Sequence, residues 1–375
     1  MRIVIVISAL RWGGAETQVL ALTRQLVAHG HAVALYTLNR YNPRAPELEG
    51  SGVQLVTDQK RFALDPLVLW RLRRFLKSFR ADIVHGFLFD GDFYARTAAA
   101  GTGIPALCSE RSDDYTLNPF QRISHLLSRH LAAGVVANSH AGARFAQRLY
   151  RLPDARLHVI WNGIDLAKVD RRTADSGHDY KTELFGRADV RLACMVANIK
   201  QDKDYELALL VADELIRREP SWRVVFVGEV GGHVDSQAYN ETIQAQYRQL
   251  GLGDKVLFAG RRQDVLELLA QSDVLYATSM REGFPNVVLE AMAAGAPVVS
   301  TEYSDIRRIL PHAWQVVEQR SAPALADAIG RAYDERVALR RQQRDWVAQH
   351  ATIEVCTARL EAVYGHYVPA GEGAA

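Results

Sequence analysis

The sequence predicts an α/β protein made of two Rossmann-like halves in tandem, and three observations carry that prediction. Its 375 residues are about twice the length of an ordinary domain. Two series of short β-branched runs alternate with helix-spaced apolar positions, the rhythm of strand, crossover helix and parallel strand. A polar stretch near residue 170 separates the two series.

The first series opens at Arg2 to Leu10, almost continuously apolar, as a strand covered on both faces requires. Arg11-Trp12-Gly13-Gly14 reads as a loop, and Ala15 to His29 as a helix with Val19, Leu22 and Leu26 on one face, stopped by Gly30. Strands are then expected at Ala32 to Leu38, Val53 to Val56, Asp82 to His85, Ile104 to Ser109, Val135 to Asn138 and His158 to Trp161. Residues 166 to 186 break the rhythm. Asp170 to Asp179 is polar and without apolar period, and reads as a linker.

The second series has expected strands at Arg191 to Val196, Arg223 to Val227, Lys255 to Phe258, Val274 to Thr278, Pro297 to Thr301 and Gln315 to Val317. Tyr205 to Arg218 and Asp264 to Gln271 read as helices between them, and Asp345 to Tyr367 as one closing helix. The expected domains are residues 1–170 and 171–349, with the helix at 350–368 packing back on the first. Where two such halves face each other, the carboxyl ends of both strand sets open onto one cleft, and the site is expected there.

Composition narrows the function. With 45 Lys and Arg against 43 Asp and Glu, the formal charge of +2 excludes the one-sided basicity of a dedicated nucleic-acid binder. Cys108, Cys194 and Cys356 have neither disulfide nor metal-site spacing, which fits a reducing compartment. The apolar run Ile3 to Ile7 is far shorter than the about 18 residues of a spanning helix, so a cytoplasmic protein without a signal peptide is expected.

The richest stretch runs from Arg281 to Thr301. A strand ending near Thr278 enters a loop with Gly283 and Pro285, followed by a short helix from about Asn286 to Ala294. Gly295 suits its left-handed stop, and Pro297 prevents continuation. That helix starts at the carboxyl edge of the sheet, so its free N–H groups and dipole favour an anion such as a diphosphate. Glu282 precedes the helix and Glu290 lies about one turn inside it. Carboxylates beside an anion site are unfavourable unless they accept hydrogen bonds from hydroxyls, for which sugar and ribose are natural donors.

This stretch resembles the Glu-x7-Glu signature of the retaining glycosyltransferases of family 4, which have the GT-B fold. Gly13-Gly14-Ala15-Glu16, Val135 to Ser139, Val159 to Asp165, and Val196-Ala197-Asn198-Ile199 with Lys203 extend the resemblance in order along the chain. The resemblance implies that Glu290 binds the ribose of a nucleotide sugar and Glu282 the hydroxyls of its sugar. The backbone of Gly283, Phe284, Pro285, Asn286 and Val287 would hold the diphosphate. Lys203 would neutralise the departing nucleoside diphosphate, with Gly13 and Gly14 close beneath it and the base near Gly228 and the Gly260-Arg261 turn. The commoner family pattern has an arginine five residues before Lys203; here Asn198 stands there, and Lys200 is the nearest replacement.

The same resemblance implies a metal-independent, cofactor-free enzyme that uses a UDP-sugar, or alternatively GDP-mannose, in surface polysaccharide or lipid-linked oligosaccharide synthesis. A nucleotide-sugar epimerase on the same fold and a non-catalytic sugar-nucleotide-binding partner are the rival readings. Acceptor candidates lie in the first half: His85 at a strand end, Asp92 of a polar Asp90-Gly91-Asp92 loop, and Arg111 and Asp113 after the next strand. His85 is more readily read as a packed or capping histidine than as a catalytic base, and Asp90-Gly91-Asp92 as a chance match to a metal motif rather than a metal site. Lys60 to Arg80 interleaves seven basic residues and one acidic one with Trp70, Leu72, Phe75 and Leu76. That pattern suits either an anionic membrane surface or a solvated helix face.

Overall fold

The computed structural model describes residues 1–174, 177–231 and 234–368. The chain divides into two compact units, one of residues 1–163 with the chain from Ile353 onward, the other Ile164–Thr352. The divisions fall at 163/164 and 352/353 rather than at 170 and 349.

The first unit runs β1 (Arg2–Ile7), α1 (Gly14–Ala28), β2 (Ala32–Thr37), β3 (Gln54–Thr57), α2 (Pro66–Phe79), β4 (Ile83–Phe87) and α3 (Leu88–Ala99). It continues with β5 (Ala106–Glu110), α4 (Pro119–Ser128), β6 (Gly134–Ala137), α5 (His140–Tyr150) and β7 (Leu157–Val159). The strands form one parallel sheet in the order β3-β2-β1-β4-β5-β6-β7. Successive side chains of β1 point to opposite faces. Ile3, Ile5 and Ile7 pack with Val19 and Leu26 of α1, while Val4 and Val6 pack with Leu72 and Leu76 of α2 and Tyr94 of α3. Both faces are covered, hence the unbroken apolar run.

The second unit opens with α6 (Leu166–Thr173) and α7 (Tyr180–Phe185), then β8 (Arg191–Val196), α8 (Tyr205–Arg218), β9 (Trp222–Val227) and α9 (Val234–Gln249). There follow β10 (Val256–Gly260), α10 (Val265–Gln271), β11 (Val274–Ala277), α11 (Asn286–Ala294), β12 (Val298–Thr301) and α12 (Ile306–Ile309). The unit closes with β13 (Val316–Val317), α13 (Ala322–Asp334) and α14 (Arg336–His350). Its parallel sheet has the order β10-β9-β8-β11-β12-β13. Strand order reverses between β8 and β11 here, and between β1 and β4 in the first unit.

Three sequence expectations need correction. The stretch read as a linker contains α6 and α7; Asp175 and Ser176 within it lie outside the described residues. These helices are held by polar devices that leave no apolar period. Asp165 caps α6 through Lys168 N (2.8 Å), Arg172 pairs with Glu267 (2.7 Å), and Asp179 caps α7. Only Val169 and Tyr180 are buried. The closing helix is two, α14 and α15 (Ile353–Tyr367), interrupted where Ala351 O accepts from Ile164 N (2.9 Å) and Thr352 bridges Ile164. The α15 helix packs against α1 in the first unit. Finally, Asp90-Gly91-Asp92 lies on α3 rather than in a loop. Among the described residues, no helix is long and apolar enough to cross a membrane.

Candidate functional site

In the second unit, the reversal of strand order leaves a crevice at the carboxyl ends of β8 and β11, the usual ligand position in an open parallel sheet. Lys203 comes from the segment after β8 and Glu282 from the segment after β11. Their side chains meet at 2.8 Å, both largely buried, and Glu282 also accepts from Ser279 Oγ (2.7 Å). The cation and the carboxylate that sequence reasoning placed 79 positions apart are therefore a contact pair.

A second set of residues holds that pair in place. Thr278 Oγ1 donates to Lys203 O (2.7 Å) and Met280 N to Asp202 O (2.8 Å), tying the two segments together. Asp204, in the left-handed region at φ 48°, caps α8 through Leu207 N and binds Arg320, which also donates to Ser279 O (3.2 Å). Sequence reasoning missed Arg320, Thr278, Ser279 and Asp204. Arg320 lies 116 positions from Asp204, and no local pattern marks it.

The α11 helix begins at Asn286 with Pro285 in the cap position and no side-chain cap; Asn286 N donates to Phe284 O (3.0 Å) and Val288 N to Pro285 O (3.1 Å). Gly295 closes it at φ 88°, where a Cβ would be strained. Gly283 O accepts from Ser304 Oγ (2.9 Å), which fixes the loop carrying Glu282, and Phe284 is buried beneath it. Glu290 is half-buried on α11, next to α6. Burial pushes its carboxyl up to about 7, with Arg172 and Lys168 pulling the other way. In its ionised form, which the two cations favour, this carboxyl can accept hydroxyl donors.

At the far edge of the crevice, Gly228 N donates to Gly260 O (2.9 Å). Gly228 has φ 153°, and a Cβ there would fall 1.9 Å from Ala197 O, so only glycine fits. Arg261 and Glu229 approach to 3.9 Å beside it. Asn198 is exposed and accepts from Glu229 N at 3.4 Å, bridging the exits of β8 and β9 without supplying charge. Lys200 is exposed close by.

The remaining candidates belong to the first unit. Gly13 caps α1 with extended backbone and Gly14 opens the helix; the nearest atoms to a Cβ on Gly13 would be those of the Glu16 carboxylate. His85 is fully buried between Tyr364 Oη (2.7 Å) and Ser109 Oγ (2.8 Å), and burial with nearby Arg111 holds it well below the ordinary histidine range. It is a packed histidine held between two hydroxyls. Asp92 is buried too, accepting from Ser109 N (2.9 Å) and Tyr150 Oη (3.2 Å), and burial raises it well above the carboxylate range. Both side chains are buried and hydrogen-bonded within the first unit. Arg111 stacks on Phe87 (4.7 Å) and donates to Asn162 Oδ1 (3.0 Å); Asp113 is half-buried two residues on. Asp90 pairs with Lys60 and accepts from Ser8 Oγ (3.2 Å). Among the described residues, no three His, Cys, Asp or Glu side chains are grouped to hold a metal.

Comparison with known proteins identifies the family. Residues 12–168 match the profile of Glycosyltransferase Family 4 and residues 180–349 that of Glycosyl transferases group 1. The Bacillus subtilis protein named as glycosyltransferase EpsF is 26% identical over 316 residues, 80% of this chain and 79% of that protein. The Salmonella typhi Vi polysaccharide biosynthesis protein VipC/TviE is 28% identical over 169 residues, 44% of this chain and 28% of that protein. Among solved structures, a glycosyltransferase from Rickettsia africae superposes with TM-score 0.83 at 16% identity, covering 99% of both chains. Anabaena Alr3699/HepE in complex with UDP superposes with TM-score 0.81 at 18% identity, covering 98% of this chain and 100% of that one. Two parallel-sheet units, each matching one half of the same enzyme group, place this chain in glycosyltransferase family 4, with the GT-B fold.

Proposed function

We propose that this glycosyltransferase is a retaining, metal-independent enzyme that moves a sugar from a UDP-sugar to a carbohydrate or lipid-linked acceptor in surface polysaccharide synthesis, on the cytoplasmic side. The observation that carries the reading is the Lys203–Glu282 contact at the strand-order reversal of the second sheet, beside the uncapped start of α11. UDP in the Anabaena protein and polysaccharide synthesis in the Salmonella protein support the donor and the pathway class.

In this reading the N–H groups at the start of α11 and the Lys203 ammonium face the diphosphate. Glu290 accepts from the ribose and Glu282 from the sugar. The anomeric C–O bond to the diphosphate breaks as charge builds on the leaving oxygen, which Lys203 and the helix dipole stabilise. The acceptor hydroxyl attacks from the face the leaving group departs, its proton passing to the departing phosphate oxygen, so the anomeric configuration is kept. One such charge-stabilising donor in an enclosed site is worth about 3 kcal/mol.

The test is calorimetric titration in EDTA with UDP, GDP, TDP, ADP and their common sugar conjugates, followed by NMR of the product's anomeric centre. Tight binding of UDP conjugates and a retained configuration are expected. Preference for GDP conjugates would replace the donor, conversion of a UDP-sugar without acceptor would favour an epimerase, and an inverted product would overturn the mechanism.

A further inference from the structure

The α4 helix is built inside out. Its buried residues are Ser124, His125 and Ser128, while Phe120 (48% exposed), Ile123 (59%), Leu126 (48%) and Leu127 (72%) face outward. Spacing of three and four residues puts these four on one stripe. The inward face is fixed by specific bonds. Ser128 Oγ accepts from the buried Arg96 (3.0 Å) and donates to Ser124 O (2.7 Å), and His125 Nε2 bonds Leu149 O (3.0 Å) with its ring edge-on to Tyr150. A reciprocal Asn118–Gln121 capping box fixes the start of the helix. Rolling α4 to bury its apolar stripe would break all of these, so the outward stripe is its stable orientation. Monomeric soluble proteins seldom present such a contiguous apolar patch without a partner.

The charge around the stripe indicates the partner. Residues 115–153 contain Arg122, Arg129, Arg144, Arg148 and Arg151 and no acidic residue. The His125–Leu149 bond brings the end of α5, with Arg148 and Arg151, beside α4. On the other side of α3, which touches both helices, α2 offers exposed Leu67 and Trp70. Its arginines are partly engaged within the protein, Arg71 with Asp58 (2.8 Å) and Arg73 with Ala98 O (3.1 Å). An apolar helical stripe with Arg122 and Arg129 on or next to its own helix and Arg148 and Arg151 at the end of α5, where Asp154 on Gln147 is the neighbouring acid, matches an anionic lipid surface, with the side chains entering the acyl boundary and the guanidinium groups meeting the headgroup phosphates.

We propose that α4 is the element by which the first unit docks on an anionic bilayer, rather than the Lys60 to Arg80 helix. The proposal rests on the transferase reading for its purpose, since a lipid-linked acceptor has to be met at a surface, but it is tested separately. Full-length protein is sedimented with vesicles of phosphatidylglycerol and phosphatidylethanolamine, and with phosphatidylcholine alone. The doubly substituted Ile123→Ser, Leu127→Ser protein is compared with wild type and with the Leu67→Ser, Trp70→Ser protein. Expected results are salt-sensitive binding to the anionic vesicles, at least about tenfold weaker after the α4 substitutions and less affected by those on α2. Because α4 exposes these side chains, the thermal midpoint and UDP titration are expected to match wild type, so failed docking and a failed transferase reading are told apart. No vesicle binding by wild type, equal binding to phosphatidylcholine, or equal binding by the α4 variant would overturn the proposal. A wild-type dimer that the α4 substitutions dissociate would overturn it in favour of a second copy of this chain.

Discussion

The two sheets reverse strand order in the same way, yet the crevices at their reversals are built differently. After β11, residues 278–285 make an open segment that delivers Glu282 to Lys203 before α11 begins. After β4 there is no such segment: Leu88, at φ 63°, turns the chain straight into α3. Gly86 and Gly91 let α3 lie against the sheet, since a Cβ on Gly91 would sit 2.4 Å from Val6 O and one on Gly86 2.5 Å from Asp92 Cα. Ser8 and Lys60 then close over Asp90. In the second unit, polar groups at the reversal meet one another across a gap between loops. In the first they are consumed in holding a helix to the sheet.

That contrast can be broken from either side. The largest effect is expected for Lys203→Ala and Glu282→Ala, each lowering the transfer rate by about 10²–10³-fold. Glu282→Ala should leave UDP affinity near wild type; an unchanged transfer rate would remove Glu282 from the site. His85→Ala should act in the opposite sense. It leaves Ser109 and Tyr364 without their buried partner and opens a cavity, so it should cost about 2–4 kcal/mol of stability in denaturant melts and leave UDP binding intact.

Smaller effects sharpen the account of the second unit. Glu290's carboxyl sits near 7, above its ordinary 4.5, and hydroxyl donors favour its ionised form. UDP affinity should therefore be full above about pH 7 and fall as pH drops through that value, by up to about tenfold between pH 8 and pH 6. Glu290→Gln should flatten that profile in calorimetric titrations. Arg320→Ala, which loosens the Lys203 segment without touching substrate, should lower kcat severalfold with little change in UDP affinity. A parallel loss of both would make Arg320 a ligand contact instead.

The legible parts of the molecule were those whose signal is local. Continuous apolar runs such as Ile3 to Ile7 announced buried parallel strands, and Gly295 with Pro297 announced the end of α11. Lys203 and Glu282 were legible through the family resemblance. The illegible parts depend on partners distant in sequence. The α6 helix looks polar because Arg172 answers Glu267, 95 positions away. The Asp90-Gly91-Asp92 segment looks like a loop because its glycine serves close packing on Val6. The reversed polarity of α4 is set by Arg96 and Leu149, neither of which belongs to that helix.

The most direct test of the contrast is calorimetric titration of UDP, in EDTA, into wild type and into two single variants, Glu290→Ala from the second unit and Asp113→Ala from the first. Wild type is expected to bind, Asp113→Ala to keep its affinity, and Glu290→Ala to lose at least about tenfold, the cost of a charge-assisted hydrogen bond. Equal affinity in Glu290→Ala and wild type, or a loss confined to Asp113→Ala, would contradict the assignment of the nucleotide to the second sheet.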